Sequence, residues 1–276
     1  MIKVTRTSGA PVGIPKLAQA EEKRNAKKSK RTFRVYSHKL IKTALEEMFH
    51  GKCAYCESKY QAVQPMDVEH WRPKSVYWFL AAEWTNLYPS CIDCNRQREH
   101  KVSLPDGTEK TVVQGKMDRF PLMNNAAVAV DRAGIDLEEP ELLNPCNDEP
   151  EDYFEYTKEG VIRAKSGANR AETSIEVYAL NRMGLVNERF EWQLIIGKHV
   201  HRIRQLSKVL EALNARQIPS AYDRELTAII EDLVRYEVKA LASLCDAAQP
   251  YAAQSRQLVK EFFDSADGVP EWLALR

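Results

Sequence analysis

Four of the six cysteines occur as two pairs with the spacing of metal ligands: Cys53 with Cys56, and Cys91 with Cys94. Two residues between the members of a pair allow both sulfurs to bind one ion, and two such pairs complete a tetrahedral zinc site. Because four thiolates leave no open coordination position, we expect this zinc to stabilise the fold and not to catalyse. The alternative, four ordinary thiols, is disfavoured by the paired spacing.

The segment around these cysteines also carries residues that hydrolytic chemistry requires. Glu69 and His70 are adjacent, Asn86 follows them, and Asn95 comes directly after the last cysteine. Carboxylate and amide oxygens bind hard divalent ions, and a neutral histidine with a pKa near 6.5 accepts a proton from water at physiological pH. A lone histidine is most often structural. The prediction of metal-assisted phosphodiester hydrolysis therefore rests on the combination and not on His70 alone.

This combination resembles the pattern of the HNH, or ββα-metal, endonucleases. The resemblance implies that His70 is the general base and that Glu69 and Asn95 bind a catalytic Mg²⁺ or Mn²⁺ ion. It implies that Asn86 holds the loop and positions His70. The structural zinc at the four cysteines fits the same resemblance.

Three basic residues near the motif are candidate nucleic-acid contacts. Family members often carry a lysine three residues after the last motif residue, and this chain has Arg98 there as a comparable phosphate contact. Arg72 and Lys74 follow the predicted general base closely. They are interpreted either as phosphate contacts or as part of a solvated turn.

The resemblance extends to one branch of the HNH family, the HNH subunit of Septu-type anti-phage systems, which is also found as a retron effector. It is strongest over residues 51–96 and covers about residues 1–190, including the segments Gly51–Glu57 and Val68–Lys74. It implies an ABC-type ATPase partner subunit (PtuA-like) and, in retron systems, a reverse transcriptase with its RNA or DNA product. The helical C-terminal region and the acidic segment before it are the expected docking surfaces for the ATPase.

The sequence as a whole predicts an α+β fold with four parts. Residues 1–36 form a basic, irregular N-terminal arm, and residues 37–125 form the zinc-bound ββα core, which begins with a helix capped by Ser37. Residues 126–169 form an acidic linker with a β-hairpin. Residues 170–276 keep the helical spacing of apolar side chains and form a mostly α-helical region.

The net charge of +1 conceals a strong asymmetry along the chain. Residues 1–52 hold 13 Lys and Arg against 4 Asp and Glu, whereas residues 131–160 hold 11 Asp and Glu against 2 Lys and Arg. The basic N-terminal part suits a phosphate backbone, and a solvated, partly disordered tail is the alternative. No apolar run is long enough to span a membrane and no secretion signal is recognisable, so we expect a cytoplasmic protein without a membrane partner.

Three functions remain open from the sequence. A metal-dependent endonuclease with a DNA target in anti-phage defence is favoured. The same site could act as a ribonuclease, for example on tRNA, because such a motif engages phosphate and sugar while base identity is read elsewhere. The third possibility is a catalytically inactive, zinc-dependent interaction module.

Overall fold

The computed structural model describes residues 1–7, 9–61, 64–104, 107–123, 126–216, 218 and 220–265. It is an α+β protein in which small antiparallel sheets precede a mostly helical C-terminal region. The predicted fold class is confirmed at this level. Within the described residues the sheets are two-stranded, so the core depends on side chains from the helices and loops packed around them.

The N-terminal part is more ordered than the sequence predicts. Residues 1–36 contain helix α1 (Ile14–Ala26), and the side chains of Met1, Ile2 and Ile14 are buried in the main core. The prediction of an irregular arm was therefore wrong. The high density of charged residues conceals the few apolar positions through which this segment packs.

Helix α2 (Lys39–Met48) enters the cysteine region as expected, with Ile41 and Leu45 buried. Its N-cap is His38 and not Ser37, because the side chain of His38 accepts a hydrogen bond from the backbone N–H of Leu40 at 3.2 Å.

A compact ββα unit follows. Strand β1 (Asp67–His70) pairs antiparallel with β2 (Leu87–Ser90), with Glu69 opposite Tyr88 and His70 opposite Leu87. One helical turn, α3 (Ile92–Asn95), comes directly after β2. This arrangement brings the residues of the polar motif to one end of the unit.

After α3 the chain forms a second hairpin and returns to nearly the same point. Its strands are β3 (Arg98–Ser103) and β4 (Glu109–Gln114). Gly115 then passes so close to α3 that a Cβ atom there would lie 2.0 Å from the carbonyl oxygen of Arg96. Because Gly115 also has a φ of 135°, only glycine suits this position.

The predicted β-hairpin in the acidic region is present. Strand β5 (Phe154–Tyr156) pairs with β6 (Ile162–Ala164), and helix α4 (Asn169–Val177) follows. Leu142 and Leu143 are fully buried in the same core as the cysteines. The core therefore does not end near residue 125, as the sequence suggested, but takes in the acidic linker and the hairpin.

The C-terminal helices are α5 (Met183–Asn214), α6 (Ala221–Leu244) and α7 (Ala252–Asp264). They enclose a second apolar cluster that includes Ile203 and Val234. The helical prediction is confirmed for the described part of this region. No helix in the described ranges is both long enough and apolar enough to cross a bilayer.

Candidate zinc and HNH site

The sulfur atoms of the two cysteine pairs meet. Cys53, Cys56, Cys91 and Cys94 are all buried, and their Sγ atoms lie within 4.8 Å of one another. Within the described ranges, no other group of three or more His, Cys, Asp or Glu side chains is placed to hold a metal ion. Four converging thiolates suit tetrahedral zinc, which agrees with the spacing in the sequence.

Arg182, which precedes α5, covers this cysteine cluster. Its Nη1 lies 3.6 Å from Sγ of Cys94, and its Nη2 lies 3.6 Å from Sγ of Cys56 and 3.7 Å from Sγ of Cys91. The side chain is buried. Four thiolates around a divalent ion leave a net charge of about −2, which a buried guanidinium partly offsets. The long helix α5 therefore begins with a side chain held against the zinc ligands.

The polar motif lines a cavity of about 190 Å³ beside the cluster. Glu69, His70 and Asn95, the residues predicted to bind the catalytic ion and activate water, contribute to this cavity together with Lys74 and Asp118. Asp118 is exposed, and no motif in the sequence pointed to it.

The carboxylate of Glu69 is held on both sides. Tyr55 donates its hydroxyl hydrogen to Oε2 at 2.5 Å, and the ammonium group of Lys116 lies 2.6 Å from Oε1. Lys116 also donates to the backbone carbonyl oxygen of His70 at 2.8 Å and is fully buried. Neither Tyr55 nor Lys116 was predicted from the sequence as a site residue.

The β3–β4 hairpin explains why the sequence did not predict Lys116 as a site residue. The backbone N–H groups of Lys116 and Met117 donate to the carbonyl oxygens of Cys94 and Asn95 at 2.9 Å and 2.7 Å, so the chain resumes its path along α3. If residues 97–114 are left out, Lys116 stands three residues after Asn95, the spacing at which HNH endonucleases often have a lysine. The sequence predicts this phosphate contact at Arg98 because the residue three positions after Asn95 along the chain lies in the hairpin.

A hydrogen bond from the imidazole ring holds His70 in place. Its Nε2 donates to the carbonyl oxygen of Ala81 at 2.8 Å, which leaves Nδ1 as the nitrogen that can accept a proton. Burial, followed by the positive charge of Lys74, lowers the pKa of His70 to about 3. The expectation of a pKa near 6.5 was therefore wrong, and the imidazole is neutral throughout the physiological range.

Asn86 lies outside the cavity lining and contacts the chain that follows His70. Its Oδ1 accepts the backbone N–H of Arg72 at 2.7 Å, and its Nδ2 donates to the carbonyl oxygen of Arg72 at 2.9 Å. Its own carbonyl oxygen accepts the N–H of Trp71 at 3.0 Å. The buried amide thus fixes the backbone immediately after the histidine.

Asn95 donates from Nδ2 to Oδ2 of Asp67 at 3.0 Å. Asp67 also forms an ion pair with Arg96, at 2.8 Å. This hydrogen bond orients the amide of Asn95 and uses its nitrogen, so the amide oxygen is the group suited to bind a cation.

The three candidate phosphate contacts have different surroundings. Arg72 forms a largely buried ion pair with Glu138 at 2.9 Å and lies over the ring of Trp71, so its guanidinium is engaged inside the protein. Arg98 lies on the exposed β3 strand and pairs with Asp93 at 3.0 Å. Lys74 lines the cavity. Of the three, only Lys74 has a position suited to a phosphate at the predicted site.

Comparison with known proteins shows which of them the chain is similar to. No protein-family model matches it. It is 29% identical to Septu protein PtuB of Bacillus mycoides (strain KBAB4), over 95% of this chain and 90% of that protein. The chain is a homologue of Septu protein PtuB. A PtuB of Bacillus thuringiensis is 26% identical over 85% of this chain and 73% of its own length. Septu protein PtuA of B. mycoides is 26% identical over 54% of this chain but only 20% of its own length.

Proposed function

We propose that this PtuB homologue is an HNH endonuclease that hydrolyses phosphodiester bonds in nucleic acid, with DNA as the favoured target. One observation carries the proposal: Glu69, His70 and Asn95 line one cavity on a ββα unit, next to four cysteines that converge as zinc ligands. A carboxylate, a neutral imidazole and an amide oxygen around one cavity are the groups needed for metal-assisted hydrolysis.

The donor set of the cavity suits a hard divalent ion. Mg²⁺ keeps several of its waters and usually takes one or two carboxylates together with substrate phosphates. Glu69 and the amide oxygen of Asn95 supply such ligands, and a cavity of about 190 Å³ has room for an ion with several waters. When bound, Mg²⁺ or Mn²⁺ would stabilise the negative charge that develops on the leaving oxygen.

In this proposal His70 takes the proton from the attacking water. Because Nε2 is committed to the carbonyl oxygen of Ala81, the proton is accepted at Nδ1. That carbonyl also fixes the orientation of the ring and stabilises the imidazolium that forms. Asn86 acts as a positioning residue, since it holds the backbone of Arg72 two residues after the base. Lys74 supplies positive charge for a phosphate.

The homology with PtuB and PtuA indicates a role in Septu anti-phage defence. We extend this to a partnership with a PtuA-like ATPase subunit that controls when the nuclease cuts. The support is the relation to a two-protein system together with apolar side chains on the surface of α6, where Ile229, Leu233 and Tyr236 are about half exposed or more. We propose the helical C-terminal region as the docking surface.

The test is a cleavage assay with the purified chain, alone and with a co-purified partner. Duplex DNA, single-stranded DNA and tRNA are incubated in parallel with and without Mg²⁺. We expect Mg²⁺-dependent cuts in duplex DNA. Cleavage of tRNA alone would select the ribonuclease alternative, and no cleavage of any substrate with or without partner would support the inactive interaction module.

A further inference from the structure

A strongly basic segment follows α1. Residues 27–34, which we call the basic loop, contain five cationic side chains, and all five residues are exposed: Lys27, Lys28, Lys30, Arg31 and Arg34. Within the part of the chain that the structure describes, no carboxylate pairs with any of the three lysines. Like charges without acidic partners repel one another, so these side chains are stabilised either by an anionic ligand or by full hydration.

Two buried polar side chains of α1 hold the end of this loop. Asn25 donates to the carbonyl oxygen of Thr32 at 2.9 Å and accepts the N–H of Thr32 at 3.1 Å. Oε2 of Glu21 accepts the backbone N–H groups of Arg34 and Val35 at 2.7 Å and 3.2 Å. Both Asn25 and Glu21 are buried. The loop is therefore attached to a fixed frame, unlike the solvated tail that its composition alone allows.

The basic loop ends beside the proposed catalytic cavity. Tyr36, two residues after the loop, packs edge-on against the ring of His70 with 4.6 Å between ring centroids. Nζ of Lys74 lies 5.0 Å from the centre of the Tyr36 ring, and Lys74 also lines the cavity. Within the loop, the guanidinium of Arg31 lies 4.4 Å from the centre of the Trp78 ring. The segment that begins at Arg31, which contacts Trp78, therefore reaches within a few residues the ring that packs against His70.

We propose that the basic loop binds the sugar-phosphate backbone of the nucleic acid next to the bond that His70 attacks. The inference deepens the proposed function and rests on it for the identity of the ligand. In this proposal Lys27, Lys28 and Lys30 contact phosphates of the backbone, and Lys74 supplies positive charge at the cavity itself. Such contacts set the position of a strand without reading its bases, so the loop contributes affinity and register and not sequence preference.

The experiment measures binding separately from cleavage. In a His70→Ala background without added divalent ions, fluorescence anisotropy gives the dissociation constant for labelled duplex DNA, single-stranded DNA and tRNA over a range of salt concentrations. The test variant adds K27A, K28A and K30A. The matched control adds K198A, K208A and K239A, which remove three exposed lysines of α5 and α6. Both triple variants change the net charge equally, and because their lysines are exposed we expect equal melting temperatures.

Each lost phosphate contact reduces the slope of log affinity against log salt by about 0.9 on duplex DNA and about 0.7 on single strands. We therefore expect the slope of the test variant on duplex DNA to be less steep than that of the parent by about 2.7. Between about 50 and about 200 mM salt, the test variant should then lose about 40-fold less affinity than the parent does. The control should keep the slope of the parent. The probe whose slope falls by the full amount expected for three contacts of its type, about 2.7 for duplex DNA or about 2.1 for a single strand, identifies the backbone that the loop binds.

Equal slopes for the parent and the test variant on all three probes would overturn the inference, as would an equal fall in the control. A parent that binds none of the probes would overturn it as well. If the loop variant behaves as expected while wild-type protein, with or without a co-purified partner, cuts no nucleic acid with Mg²⁺, the binding surface stands and the nuclease proposal fails. The two failures are therefore distinguishable.

Discussion

The ammonium group of Lys116 lies 2.6 Å from Oε1 of Glu69, and both side chains are buried. The same ammonium donates to the carbonyl oxygen of His70, so one cation joins the carboxylate proposed to bind the divalent ion and the backbone of the proposed base. Tyr55 holds the other carboxylate oxygen. The orientation of Glu69 is thus fixed by the fold.

Replacing Lys116 by Met should destabilise the protein through Glu69. The substitution leaves a buried carboxylate without its cation, and breaking a buried pair in this way costs about 3–5 kcal/mol. The free energy of unfolding, measured by urea denaturation in the presence of zinc, gives the loss. The double variant Glu69→Gln, Lys116→Met should recover most of the stability, since no charge stays buried, yet neither variant should cut nucleic acid. A single variant as stable as the wild type would show that the pair is not a charged contact.

The features that the sequence predicts well depend on local spacing. The paired cysteines and the helical periodicity after residue 170 each follow from neighbouring residues, and the structure has the cysteine cluster and the helices where they were expected. Glu69 and Asn95 line one cavity because β1 pairs with β2 and α3 follows directly.

The features that were missed depend on contacts between distant segments. Lys116 reaches Glu69 only because the β3–β4 hairpin closes at Gly115, and no local pattern shows where an inserted hairpin returns. The lowered pKa of His70 results from its burial, to which Tyr36 of the N-terminal segment contributes by packing against its ring. Burial of that kind is decided by tertiary packing, which periodicity does not reveal.

His70→Ala should remove cleavage while leaving the fold unchanged. Loss of a general base typically lowers the rate by about 10²–10⁴-fold. Zinc content should stay at the wild-type value, because the four cysteines are untouched, whereas the urea unfolding midpoint should fall, because the buried ring and its hydrogen bond to Ala81 are lost. His201→Ala, an exposed histidine on α5, is the matched control and should cut normally. Normal cleavage by His70→Ala would remove this residue from the mechanism.

The lowered pKa of His70 predicts a specific pH dependence. A pKa of about 3 keeps the imidazole neutral at all pH values well above 3. Protonation of His70 therefore does not reduce the cleavage rate near pH 6.5, where an unperturbed histidine would become protonated. Cleavage rates at saturating Mg²⁺ should therefore show no acid-side inflection near pH 6.5. Zinc content is measured at each pH as the control. An acid-side inflection near pH 6.5 in the wild-type protein, at constant zinc content, would contradict the lowered pKa of His70.

Removal of a zinc ligand should unfold the core. Zinc at a structural site contributes folding free energy, about 10–16 kcal/mol of apparent binding in small zinc domains, so Cys53→Ser or Cys91→Ser should abolish the cooperative thermal transition. Cys245→Ser, which changes a half-buried thiol after α6, should melt like the wild type. Differential scanning fluorimetry with parallel zinc analysis provides the measurement. A soluble, fully active Cys53→Ser protein would refute the structural role of the cluster.

Arg182→Met should weaken zinc retention without removing a ligand. The guanidinium contacts three of the four sulfurs and partly offsets the charge of the tetrathiolate site. Loss of such an outer partner typically lowers metal affinity by about 10–100-fold, which competition with a chromogenic chelator measures directly. Arg202→Met, on the exposed side of α5, is the control and should release zinc at the wild-type rate. Arg182→Lys should recover only part of the loss, because a single ammonium cannot contact three sulfurs at once. Unchanged zinc affinity in Arg182→Met would show that the arginine packs against the cluster without stabilising its charge.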